Sequence, residues 1–338
     1  MIKFFRRLRL KLLEGGNMKK YLLYAIGEIL LVVFGILIAL QINNWNTNTQ
    51  EVQGLIRSLD QMHESLNLDL EYLKARINVH VIAAKGADES IKHLIRKDSL
   101  TNEFYRNISK AQYNTIFRLK SSTFESLKLN GLKLIDNGTL KQQLFKVYEE
   151  EPELIKQREA IIERTRANYY DRWMARNIIP DTSNYEDKIK DYNSVLEDSE
   201  FLGNLNLLRG DHLSFIRDAN YFALEIQNLQ AQITIALDQL KKGKAVSFLK
   251  GKQSILFILE GYEQAEKVGL SGPIVGWQDQ DHQLKKVSGQ WQIEIGMPPG
   301  HYFYNYFIDG ESQHDPENPN KLPNGADGDY FSVKYVPY

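Results

Sequence analysis

Residues 289–310 read GQWQIEIGMPPGHYFYNYFIDG. Apolar and polar side chains alternate through Trp291, Ile293 and Ile295, which is the two-residue period of a half-buried strand. Pro298, Pro299 and Gly300 fit a turn, and the aromatic run that follows ends on Asp309 and Gly310, which fit a hairpin turn. In HYFYNYFI aromatics occupy both faces, so one face must be core and the other exposed or bound to something. Outward from this stretch, QSILFILEG, KVGLSG and YFSVKYV are further short β-type runs separated by Gly, Pro and Asp. The chain past Gly243 therefore reads as a small all-β sandwich.

Toward the N-terminus the period changes to that of helices. Leu55, Leu59, Met62, Leu66, Leu70, Leu73 and Ile77 recur at intervals of three and four, one apolar stripe on a long helix that needs a partner. SSTFESLKLNG opens on a Ser/Thr cap and stops at Gly131, and Asp136, Asn137 and Gly138 read as a tight turn. The helical run after Gly138 is expected to be punctuated by Pro152 and Pro180, and a last one from Asp211 ends at Gly243. Residues 48–243 thus read as an all-α antiparallel bundle or stalk.

Residues 21–42 form a third kind of segment. Between Tyr21 and Leu40 the one ionisable side chain is Glu28, and the run has the length of about 20 residues that a transmembrane helix needs. Residues 1–20 are basic, with Lys3, Arg6, Arg7, Arg9, Lys11, Lys19 and Lys20 against Glu14, which predicts a cytoplasmic tail and an exported remainder. The apolar run is longer than a signal-peptide core and no small-residue cleavage site follows, so it reads as an uncleaved anchor in a bacterial inner membrane with the bulk of the chain periplasmic. Tyr24, Glu28, Leu31 and Gly35 fall on one helical stripe. One reading pairs two spans through Glu28 and Gly35 into a homo-oligomer; the other leaves Glu28 bonded within its own helix.

GEILLVVFGILIALQINNWN, followed by STFESLKLNGLKLIDNGTLKQQLFKVYE, resembles an uncharacterised family of bacterial membrane-anchored proteins. The resemblance covers the first two-thirds of the chain and implies topology alone.

Composition narrows the chemistry. The net charge is −1 and there is no cysteine, so disulfides and thiolate metal sites are excluded. In residues 246–338 acids outnumber lysines and arginine is absent, which argues against a nucleic-acid partner. The seven histidines lack metal-ligand spacing, and no G-x-S-x-G, P-loop or G-x-G-x-x-G is present. The oxygen-rich DPENPNKLPNGADGD lacks EF-hand spacing and reads as a turn-rich loop. No catalytic residue, metal or cofactor is expected.

The order of motifs in the sandwich is specific as a set. VGLSGPIVGWQ, then GQWQIEIGMPPGHYFYNYFIDG, then HDPENPN and FSVKYV resemble the glycogen-binding module of the AMP-activated kinase β-subunit and its relatives ahead of α-glucan branching and debranching enzymes, which implies an immunoglobulin-like carbohydrate-binding module over residues 250–338. That resemblance implies that Trp277 stacks on a glucose ring. It also places Asn305 where the family has a lysine, Ser312 where it has a second stacking Trp, and Phe331 near a late asparagine. Alternation then puts Phe303, Asn305 and Phe307 on the face of the family site and Tyr302, Tyr304, Tyr306 and Ile308 inward. Phe303 and Phe307 either replace the missing platform or pack against another domain or subunit, while Trp291 is assigned to the core.

Two functional classes follow. In one, a membrane-anchored, non-enzymatic binding protein presents the module to α-glucan oligosaccharides. In the other, a structural or signalling membrane protein uses its sandwich and bundle for protein contacts.

Overall fold

The computed structural model describes residues 18–135, 137–179, 188–248, 252–272, 282–324 and 330–338. A long N-terminal helix is followed by a helical region and then by antiparallel β-sheets, and the chain divides into two compact units, Met1–Arg57 and Ser58–Tyr338.

Helix α1 runs from Met18 to Arg96, and its portion up to Arg57 is the described part of the first unit. No described side chain between Leu22 and Gln50 is buried, although Leu31, Phe34, Ile38 and Leu40 are among them. Among the described residues this is the one helix long and apolar enough to cross a membrane. Glu28 is partly exposed, and a Cβ at Gly35 would meet open space.

In the second unit α1 buries Leu59, Met62, Leu66, Leu70, Leu73 and Ile77, the stripe expected from their spacing. Helix α2 (Asn102–Ala111) is capped by Thr101, whose Oγ1 accepts from the Phe104 N–H at 3.2 Å. Helix α3 (Ser122–Asn130) stops before Gly131. Asn137 caps α4 (Gly138–Phe145) by accepting from the Leu140 N–H.

Pro152 does not punctuate the chain as expected. The path from Gly138 to Asn177 stays helical through α4, a π turn at Lys146–Glu150, α5 (Glu151–Thr165), a second π turn at Arg166–Tyr170 and α6 (Asp171–Asn177). The first π turn closes with a Glu151 N–H to Lys146 carbonyl bond directly before the proline, and Pro152 falls in the first turn of α5, where a missing N–H costs little. The expected break at Pro180 lies outside the described residues.

After a two-stranded ribbon, β1 (Ile178–Ile179) with β2 (Lys188–Ile189), come the short α7 (Tyr192–Leu196) and the long α8 (Ser199–Lys241). Helix α8 starts at an Asp198 cap, whose side chain accepts from the Phe201 N–H at 2.8 Å, more than three turns before the expected start at Asp211. It ends just ahead of Gly243 in the left-handed region (φ 68°).

The remainder is two antiparallel sheets packed face to face. The three-stranded sheet has the order β3 (Gln253–Leu259), β6 (Gln290–Met297), β5 (Lys285–Val287). The five-stranded sheet runs β4 (Val268–Ser271), β7 (Gly300–Ile308), β10 (Tyr330–Val336), β9 (Lys321–Pro323), with β8 (Glu311–Gln313) also on β7. Asp309 and Gly310 both have positive φ, as the tight β7–β8 hairpin requires. Between the sheets lie Phe257, Leu270, Trp291, Met297, Tyr304 and Tyr306, with Tyr302 and Ile308 at the margin, so the inward set of β7 is the one alternation assigns.

Candidate functional site

The other side of β7 decides what the module can bind. Phe303 is 1% exposed and packs with Phe331 against Leu224 of α8, and the Tyr221 ring stands edge-on to Phe303 at 5.9 Å. Polar bonds fix the same face to the helix. The His301 N–H donates to Asn228 Oδ1 at 2.6 Å, Gln232 Nε2 donates to the Tyr338 hydroxyl at 3.3 Å, and Asn220 donates its amide to the Pro323 carbonyl. Half of the aromatic face is therefore occupied by this chain's own helix.

Farther along β7 the sheet and the helix part. A cleft of about 750 Å³ opens there, within the range of about 300–1,000 Å³ typical of small-molecule sites. Its sheet wall carries Ser271, Asn305, Phe307 and Ser312; Arg217, Asp218 and Tyr221 line it from α8, and Phe303 and Phe331 also contribute. Strand register produces the sheet wall, since Ser271 pairs with Asn305 and Phe307 with Ser312. Gly272 keeps the β4 edge close, because a Cβ there would stand 2.5 Å from the Phe303 carbonyl oxygen.

Asn305 is the informative residue. It is 2% exposed, and its Nδ2 donates to Ser312 Oγ at 3.1 Å, while its Oδ1 is buried with no partner. A buried acceptor left unpaired costs about 1–3 kcal/mol, and this oxygen has almost no surface open to the cleft. The opposite wall is held rigidly. Asp218 accepts from Arg158 Nε at 2.6 Å and from Arg217 Nε at 2.9 Å. The Tyr221 hydroxyl accepts from Lys146 Nζ at 2.6 Å, and burial, reinforced by Glu225, pushes its phenol up to about 12, so it stays protonated at neutral pH.

Of the residues expected from sequence, Phe303, Asn305 and Phe307 line this cleft, as do Ser312 and Phe331. Phe303 presents no open ring face, since α8 covers it. Trp277 lies outside the described residues. HDPENPN serves the fold: Tyr304 donates to Asp315 Oδ2 at 2.5 Å, and Asn318 Nδ2 donates to the Val333 carbonyl at 3.0 Å. Sequence reasoning missed Arg217, Asp218 and Tyr221. No sequence signal pointed to them: Arg217, Asp218, Asn220, Glu225, Gln227 and Asn228 share one side of α8 and read as a solvated face, yet Asp218, Asn220, Glu225 and Asn228 are buried. It also missed His80 and His212, whose Nδ1 atoms meet at 2.9 Å in the bundle; burial lowers the first to about 3 and the second to about 4, so the pair is neutral. Among the described residues no group of acids and histidines is arranged to hold a metal ion.

Residues 256–333 match the family model of the glycogen recognition site of AMP-activated protein kinase. No curated protein matches the chain. Among solved structures, a maltogenic amylase from S. marinus is 22% identical over 26% of this chain, with a TM-score of 0.23, and the match spans 14% of that enzyme's length.

Proposed function

We propose that the chain is a membrane-anchored, periplasmic, non-enzymatic binding protein whose C-terminal module takes α-glucan-type oligosaccharides in the cleft beside Asn305. The observation that carries this is a cleft of small-molecule size whose sheet wall, Ser271, Asn305, Phe307 and Ser312, belongs to a segment that matches a carbohydrate-recognition family. A recognition module of that kind has a binding role, and the fixed Asp218 carboxylate is an acceptor for sugar hydroxyls at the cleft wall. Trp277, with Phe307, is the proposed stacking surface. The exposed apolar start of α1 supports the anchor, the basic flank supports a cytoplasmic N-terminus, and Glu28 with Gly35 remains the proposed pairing stripe between copies.

A specific observation also favours the protein-contact reading: the half of the aromatic face bearing Phe303 and Phe331 is already a protein interface, made with α8. The test is a titration of the full chain in lipid nanodiscs with maltoheptaose; maltoside detergents are avoided because they present the ligand's own sugars. A dissociation constant of roughly 0.1–1 mM is expected, or about −4 to −5.5 kcal/mol. Trp277→Ala should remove most of it, and Asn305→Ala should weaken it about fivefold through one lost hydrogen bond. No binding at several millimolar sugar would assign the whole face to protein contact.

A further inference from the structure

We infer that the cleft accepts the end of a glucan chain and excludes its interior, because α8 stops one end of the sugar face. This rests on the carbohydrate reading above and concerns which part of the polymer is recognised. On an uncovered sheet a sugar chain could run along the whole outer face of β7 in either direction. Here the contacts from Asn220, Tyr221, Leu224, Asn228 and Gln232 occupy the face from Phe303 back to His301 and on to the C-terminal Tyr338. A chain that enters beside Phe307 and passes Asn305 therefore meets the Phe303 and Tyr221 rings.

The blocked end also carries the hydrogen-bonding capacity. A terminal glucose has one more free ring hydroxyl than an internal one, and a terminal unit lodged there has the Asn305 and Ser312 side chains on one side and the Asp218–Arg217 pair on the other. Both sides are held in advance: Asn305 by Ser312, and Asp218 by Arg158 and Arg217. Little side-chain freedom remains to be lost on binding, which favours a short ligand making few but well-placed contacts.

Linear and cyclic ligands with the same seven glucose units separate the two modes. The full chain in nanodiscs should bind maltoheptaose at least about tenfold more tightly than β-cyclodextrin, which has no end. Maltotriose should retain most of the maltoheptaose affinity, because the blocked end sees one terminus whatever lies beyond it. Arg217→Ala, at a half-exposed position, should weaken maltoheptaose several-fold while the protein still melts cooperatively, since Arg158 continues to hold Asp218. Equal binding of the cyclic and linear ligands would overturn end recognition and leave the carbohydrate reading standing. An Arg217→Ala protein that binds as the parent does would remove α8 from the site and overturn it as well. Failure of every ligand to bind would overturn both.

Discussion

Glu151 shows how much of the molecule's chemistry rests on single buried side chains. It sits in the acidic run EEEPE, which by composition reads as a solvated face, yet it is 6% exposed and its Oε2 has no partner. Burial pushes its carboxyl up to about 7; Lys146 pulls the other way, while Glu225, Asp218 and Glu150 add to the rise. The unfolded chain releases that proton near the ordinary carboxylate value. Between the two values the folded state holds a proton that the unfolded state has lost, so stability falls as pH rises from about 4.5 to about 7 and stays reduced above it. Glu151→Gln should therefore stabilise the protein by roughly 2 kcal/mol at pH 8 and leave it unchanged near pH 4.5. Thermal melts of both proteins at the two pH values measure this, and parallel losses in parent and variant would trace the pH dependence to another group. Asn305 teaches the same lesson from the other direction. Alternation placed it on the outer face of β7, but the missing partner of its Oδ1 depends on α8 and β8, which no local pattern encodes.

At the scale of elements, two glycines in long helices report opposite environments. A Cβ at Gly86 of α1 would stand 2.6 Å from the Asn107 carbonyl oxygen and 2.8 Å from Lys110 Cβ, so α2 lies directly on the glycine. A Cβ at Gly203 of α8 would meet nothing within 4 Å. Alanine in a helix is worth about 0.5–1 kcal/mol over glycine when space allows, whereas forcing atoms into a packed contact costs roughly 1–3 kcal/mol. Gly203→Ala should raise the free energy of unfolding in denaturant and Gly86→Ala should lower it; the same sign for both would contradict the close approach of α1 and α2. Elements with strong periodicity were legible: the α1 stripe from Leu59 to Ile77, the inward set on β7 and the Asp309–Gly310 hairpin all follow from spacing and turn chemistry. Pro152 misled because a π turn changes the hydrogen-bond register just ahead of it. Strands β5, β8 and β9 have three residues each, too few to show a period.

For the whole molecule the decisive balance is between an apolar helix that nothing in the described chain covers and the one acid within it. On insertion scales an ionised carboxylate near the centre of a span costs roughly 2.5–3.5 kcal/mol, and each Leu, Ile, Val or Phe returns about 0.3–0.6. From Ile26 to Leu40 these residues outnumber Glu28 by enough to carry it into lipid, and their exposure would otherwise make the chain aggregate. The second unit, Ser58–Tyr338, holds the bundle stripe, the sandwich core and the cleft, so none of its described packing depends on the span. Two outcomes follow from one pair of proteins. The full chain should stay with membranes after an alkaline wash, at its full length, and an alkaline phosphatase fused after Tyr338 should be active, because the basic flank before Tyr21 keeps the N-terminus inside. A chain beginning at Glu51 should be recovered soluble, melt cooperatively and bind maltoheptaose with the affinity of the full chain. A soluble chain of full length would show that the segment does not hold the protein in lipid, and a soluble chain shortened by its first forty-odd residues would make the segment a cleaved export signal; an inactive fusion on an intact membrane protein would reverse the orientation and put the cleft in the cytoplasm.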